Sequence, residues 1–209
     1  MGPPAYRSIR RIATEVFRDS VLAVSGQYAN RMGGPAIPVM EDAVGQIVLG
    51  QEDLDGERKP KSQADLGESA QRRSVYIQVR RSRPLAVLET FDLATVAPNC
   101  TQRPSSNVAP QSLLLMNSDF IVGYAAAFAK HVAEAYPGDL GAQLAHAWQL
   151  AFGETPAPET VARLVHFVST QPAANGAKSP GEPTAPAELR ALAAACQAIL
   201  ASNQFLYID

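Results

Sequence analysis

Ser118-Asp119-Phe120-Ile121-Val122-Gly123-Tyr124-Ala125-Ala126-Ala127-Phe128-Ala129-Lys130-His131-Val132-Ala133-Glu134-Ala135 decides the fold class. Ile121, Tyr124, Ala125, Phe128, Val132 and Ala135 recur three or four positions apart, the spacing of one face of an α-helix. Ser118 is a natural N-cap, and Tyr136-Pro137-Gly138 ends the run. Toward the C-terminus the pattern returns three times. Asp139–Phe152 turns Leu140, Leu144, Ala147, Trp148 and Ala151 inward and stops at Gly153. Pro158 opens a helix with Val161, Leu164, Val165 and Val168 on its buried side, a position where the missing N–H does no harm. A last helix, about Ala187–Ser202, buries Leu189, Leu192, Ala195, Cys196, Ile199 and Leu200. Toward the N-terminus, Gln111–Met116 makes a short helix. Ser8–Ser25, closed by Gly26, makes a long one with Ile9, Ile12, Ala13, Val16, Phe17, Val21 and Val24 on its apolar stripe. The expectation is a mainly α-helical domain.

The remaining chain is less regular. Met32-Gly33-Gly34-Pro35 is a turn, and a short extended piece follows at 36–40. Residues 50–71 are polar and read as a long loop. Ser74–Val79 alternates, with Val75, Ile77 and Val79 on one face and Tyr76, Gln78 and Arg80 on the other. It predicts a small β element near residues 74–79, packed on the first helix. Leu85–Phe91 makes one or two helical turns, and Asp92–Pro110 is irregular. Residues 171–186, rich in Pro, Gly, Ala and Ser, form a flexible linker before the last helix. The 209 residues are 46% apolar and 18% charged, which suits a single domain over 1–209 with a real core. The longest apolar runs are about half the roughly 20 residues that a membrane span needs. Eighteen basic and twenty acidic residues give a net charge of −2, so no global field draws nucleic acid or an anionic membrane.

Two clusters carry the chemistry worth testing. Positions 58–83 hold eight basic side chains against Asp65 and Glu68. Arginine offers a planar fork of donors suited to carboxylate, sulfate or phosphate. Arg73, Arg80 and Arg81 thus read as a ligand-binding patch, with Tyr76 placed to stack on a sugar ring. Pairing with Glu15, Asp19, Glu89 and Asp92, stitching helix to strand, is the plainer account. No nucleic-acid-binding motif accompanies the patch. Glu15 and Asp19 share a helix face at i, i+4, and two carboxylates so placed can serve as acid and base. An ordinary solvated or salt-bridged face is the plainer account on spacing alone. His131, His146 and His166 lie far apart and show no metal-binding spacing. Neither Cys100 nor Cys196 belongs to a CxxCH sequence, so this chain attaches no haem itself. In an oxidising compartment the two can pair, worth about 4–5 kcal/mol by loop-closure entropy; the alternative is a buried thiol at Cys196 and an unrelated one at Cys100.

Several segments in order resemble a known family: Glu15-Val16-Phe17-Arg18-Asp19, Met32-Gly33-Gly34-Pro35, Arg72-Arg73-Ser74-Val75-Tyr76 and Leu88-Glu89-Thr90-Phe91-Asp92. Cys100 with Arg103, Pro110-Gln111-Ser112-Leu113, Leu115-Met116-Asn117 and the closing Asn203-Gln204-Phe205-Leu206-Tyr207-Ile208-Asp209 complete the set. The chain resembles the C-terminal domain of large planctomycete cytochrome-c-associated proteins, the domain-of-unknown-function family numbered 1553. That resemblance implies an extracytoplasmic setting, a companion upstream domain as partner, and a c-type haem on another domain. It also implies that the upstream part of this domain is missing. Ala157-Pro158-Glu159 departs from the family's Thr-Pro-Glu, losing a side-chain cap worth roughly 1 kcal/mol.

Three readings of function follow. In the first, the chain is a binding or interaction module of a cytochrome-c-linked or polysaccharide-processing protein. An anionic or sugar ligand would then lie on Arg18, Arg73, Tyr76, Arg80, Arg81 and Arg103. In the second, it is a fragment of a carbohydrate-active enzyme using Glu15, Asp19 and Asp92. In the third, the polar set is purely architectural.

Overall fold

The computed structural model describes residues 9–54, 60–64, 66–94, 106, 108–171 and 186–208. In chain order the elements begin β1 (Arg10–Arg11), α1 (Thr14–Val24), β2 (Val39–Glu41), β3 (Ile47–Leu49), β4 (Gln51–Leu54) and β5 (Pro60–Ala64). Two 3-10 turns follow, Gly67–Gln71 and Ser74–Tyr76, and then α2 (Ala86–Thr90) and α3 (Ala109–Asn117). The chain continues through α4 (Asp119–Ala135), α5 (Leu140–Phe152), α6 (Pro158–Thr170), α7 (Ala187–Leu200), α8 (Asn203–Leu206) and β6 (Tyr207–Ile208). The fold is mainly α with small β elements. Where composition suggests a single domain, the chain divides into two compact units.

The helical unit takes the described residues of Met1–Ile12, Val24–Gly26 and Ser112–Asp209. α4 packs chiefly on α7, and α6 lies against α5 and α7. Ile121, Ala125, Phe128, Ala129 and Val132 of α4 are buried with Leu144, Ala147, Leu192, Ala195, Ile199 and Leu200, close to the faces that periodicity picks out. Capping follows the residue chemistry. Ser118 accepts from the Ile121 N–H and Asp139 from the Ala142 N–H. Gly153 closes α5 in the left-handed region at φ 73°, which glycine enters without a Cβ clash. Ala157 caps α6 with no side-chain bond. β1 pairs antiparallel with β6.

That pairing corrects the first helix. The stretch 8–25 is not one helix: Arg10 and Arg11 are strand, the Ile12 N–H donates to the Leu206 carbonyl, and helix begins at Thr14. A backbone partner supplied from the far end of the chain outcompetes local helical spacing. The buried face changes with it. Ile9 and Val16 are 71% and 52% exposed, whereas Thr14, Phe17, Arg18, Val21 and Leu22 are buried.

The second unit takes Ala13–Ala23 and Gln27–Gln111. Its core joins Phe17, Val21 and Leu22 of α1 to Ile37, Val39, Ile77, Leu88 and Phe91, with the Phe17 and Phe91 rings 4.8 Å apart. β2–β3 and β4–β5 are antiparallel pairs. The second pair and the turn Gly67–Gln71 occupy the stretch expected to be a polar loop, since backbone pairing needs no apolar side chains. The expected strand 74–79 is instead a 3-10 turn followed by one parallel bridge between Ile77 and Ile37. Within it Ile77 is buried, while Val75 and Val79, expected on the same face, are 71% and 60% exposed. Of the stretch 171–186, only Gln171 and Pro186 lie among the described residues.

Candidate functional site

The Glu15–Asp19 segment works mainly as a polar stitch. Arg18 is fully buried. Its Nη1 donates to the Arg72 carbonyl at 3.0 Å and to Ser74 Oγ at 3.2 Å, and its Nη2 donates to the Ala70 carbonyl. Asp19 accepts from the Ser74 N–H and from Ser74 Oγ, both at 2.7 Å. Arg18 Nη1 and Arg73 Nε stand 3.6 Å and 3.7 Å from its carboxylate. A buried charge is costly unless it is hydrogen-bonded, and here the Arg18 Nη groups and the Asp19 carboxylate both find partners on one loop. Arg18, expected at a ligand patch, is therefore out of a ligand's reach. Its neighbour Asp19 is committed to Ser74, whose backbone it draws into the 3-10 turn.

Arg72 and Tyr76 act together. Arg72 is 3% exposed and donates from Nη1 to the Pro35 carbonyl at 2.9 Å and from Nη2 to the Gly33 carbonyl. Its guanidinium lies 4.1 Å from the centroid of the Tyr76 ring, a cation–π distance. The Gly33 N–H donates to the Tyr76 hydroxyl at 3.1 Å. One face of the Tyr76 ring, expected to stack on a sugar, is thus occupied by Arg72.

Asp92 stands apart from Glu15 and Asp19. At φ 61° it is the one non-glycine with positive φ among the described residues. Its carboxylate accepts from the Ser106 N–H at 2.7 Å and from Ser106 Oγ. The Gln111 amide donates to the Thr90 carbonyl and to the same Oγ. This carboxylate closes a loop. Arg81 is exposed, and Arg103 lies outside the described residues, as does Cys100. Cys196 is a free, buried thiol, and burial pushes its pKa up to about 12.

Two hollows border the segment 75–80, and Gln78 lines both. Val75, Ile77 and Val79 line an apolar groove of about 460 Å³ with Val16 and Leu88, and Glu15, Asp19 and Arg73 also border it. Gln78 and Arg80 line a cavity of about 660 Å³ together with Arg31, Arg72, Gln51 and Ser69. Among the described residues no acidic side chain lines that cavity. Among the described residues no ion pair engages Arg31 or Arg80. Of the expected ligand residues only Arg80 belongs to the cavity. Sequence reasoning missed Arg31 and Arg72. Arg31 directly precedes the Met32-Gly33-Gly34-Pro35 turn, and a double-glycine turn needs an outside group to hold it.

Comparison with known proteins adds one relation. No curated protein and no solved structure matches the chain. The family model described as PSD1, protein of unknown function (DUF1553), matches residues 4–168. The match takes in α1, the glycine turn, both hollows and the helices through most of α6, so the chain belongs to the DUF1553 family of proteins of unknown function.

Proposed function

We propose that the chain is a binding module for an anionic ligand of oligosaccharide size, held in the cavity lined by Arg31, Arg72 and Arg80. The observation that carries this reading is the lining itself: three arginines with Gln51, Gln78 and Ser69 beside them and no described acidic side chain. Arginine binds carboxylate and sulfate through paired N–H donors, and the cavity volume falls within the range of small-molecule sites. Both Nη groups of Arg72 donate to the glycine turn, and the side chain is buried. Arg31 and Arg80 are therefore the contacting residues, and Arg72 contributes positive potential. An extracytoplasmic, cytochrome-c-linked or polysaccharide-processing parent protein would give such a module its setting, with haem on a separate domain.

The acid–base reading has less support. Asp19 is held by Ser74, and Asp92 by Ser106. Titration calorimetry with a sulfated oligosaccharide and its desulfated counterpart tests the proposal. Binding of the sulfated form alone is expected, weakened about tenfold by Arg80→Ala and by added salt. Equal binding of the two forms, or binding indifferent to Arg80, would overturn it.

A further inference from the structure

Arg31 and Pro35 both line the basic cavity and bracket the turn Met32-Gly33-Gly34-Pro35. Gly33 and Gly34 have φ of 73° and 87°, and a glycine pair left to itself samples many backbone states. Here the turn is gripped at three points. Arg72 binds the carbonyls of Gly33 and Pro35, and the Tyr76 hydroxyl takes the Gly33 N–H. The grip is itself anchored, because the Arg72 carbonyl accepts from Arg18 of α1.

We infer that Arg72 and Tyr76 are positioning residues that set the turn so that Arg31 meets the anionic group of the ligand. The inference rests on the anion-binding reading of this cavity. Neither side chain need touch the ligand: Arg72 spends its Nη donors on the turn, and its guanidinium lies over the Tyr76 ring. An exposed arginine loses rotamer freedom when it binds. If its backbone also had to be ordered, the cost would rise; a turn already pinned removes that part.

The test is a double-mutant cycle on the full chain with Tyr76→Phe and Arg31→Ala. Affinity for a sulfated tetrasaccharide is read by calorimetry, and Tm by a thermal melt. Tyr76→Phe keeps the ring under the Arg72 guanidinium and removes only the hydroxyl that receives Gly33. With Arg31 present it should weaken binding roughly fivefold, and with Arg31→Ala it should leave the residual affinity unchanged. The Tm shift should be the same in both backgrounds. An equal loss of affinity with and without Arg31 would show a merely structural role and overturn the inference, as would unaltered binding by Tyr76→Phe alone. Failure of the wild-type chain to bind the tetrasaccharide would overturn the anion-binding reading and this role together. Wild-type binding that ignores Tyr76→Phe would remove this role alone.

Discussion

The two compact units are held together by different means. In the helical unit, α4 and α7 bury aliphatic and aromatic side chains at helical spacing, and the helix ends use ordinary caps. In the other unit, short elements are tied by side-chain-to-backbone bonds from Arg18 and Arg72 across more than thirty residues of sequence. Apolar packing is non-directional, so a helix face tolerates small shifts. A guanidinium that satisfies named carbonyls tolerates few, and its loss strands several buried polar groups at once. The second unit's framework therefore depends on a few side chains.

Four measurements would break or sharpen that contrast. The largest expected effect is in the helical unit, where Phe128→Ala should cost about 3–5 kcal/mol by emptying a fully buried ring site. Hydrogen exchange should show the lost protection in α4 and α7, not around residues 70–76. Next comes Arg18→Ala, expected to cost about 3 kcal/mol because Asp19 and three acceptors lose their partner. Its exchange signature should fall on residues 70–76 and the glycine turn; a loss below 1 kcal/mol would mean that apolar packing holds both units alike.

Burial raises the Cys196 pKa from 9.0 to about 12, so the folded thiol keeps its proton where the unfolded one loses it. Stability is then unaffected below pH 9 and falls by about 1 kcal/mol per pH unit between 9 and 12. Chemical denaturation at pH 8 and pH 10 should show this slope, less steep in Cys196→Ala. The smallest effect is a gain. Ala157→Thr supplies the missing cap of α6 and should add roughly 1 kcal/mol, read as a higher Tm. No gain would mean that the Ala157 backbone is not disposed for capping.

Legibility followed the same division. Ser118, Asp139, Gly153 and Pro158 act in the structure as their chemistry and position indicate, because caps depend on neighbours three or four residues away. That Val75, Ile77 and Val79 share one hollow was equally readable, although Gln78 borders both. The 3-10 turn at 74–76 was not readable. The Asp19 carboxylate that draws Ser74 into a 3-10 turn comes from 55 residues away. Nor was the burial of Arg18, a charged residue whose acceptors lie on a loop more than fifty residues later.

By itself, then, the sequence determined the helical class, the caps of α4 and α5, the start of α6, the apolar faces of α4 to α7 and the family. These rest on local periodicity and on nearest-neighbour hydrogen bonding. Tertiary structure alone decided that Arg18 and Arg72 turn inward, that Tyr76 serves the glycine turn, and that Arg31 and Arg80 line one cavity. Each outcome depends on which distant carbonyl or carboxylate meets a guanidinium, and no spacing along the chain encodes that meeting.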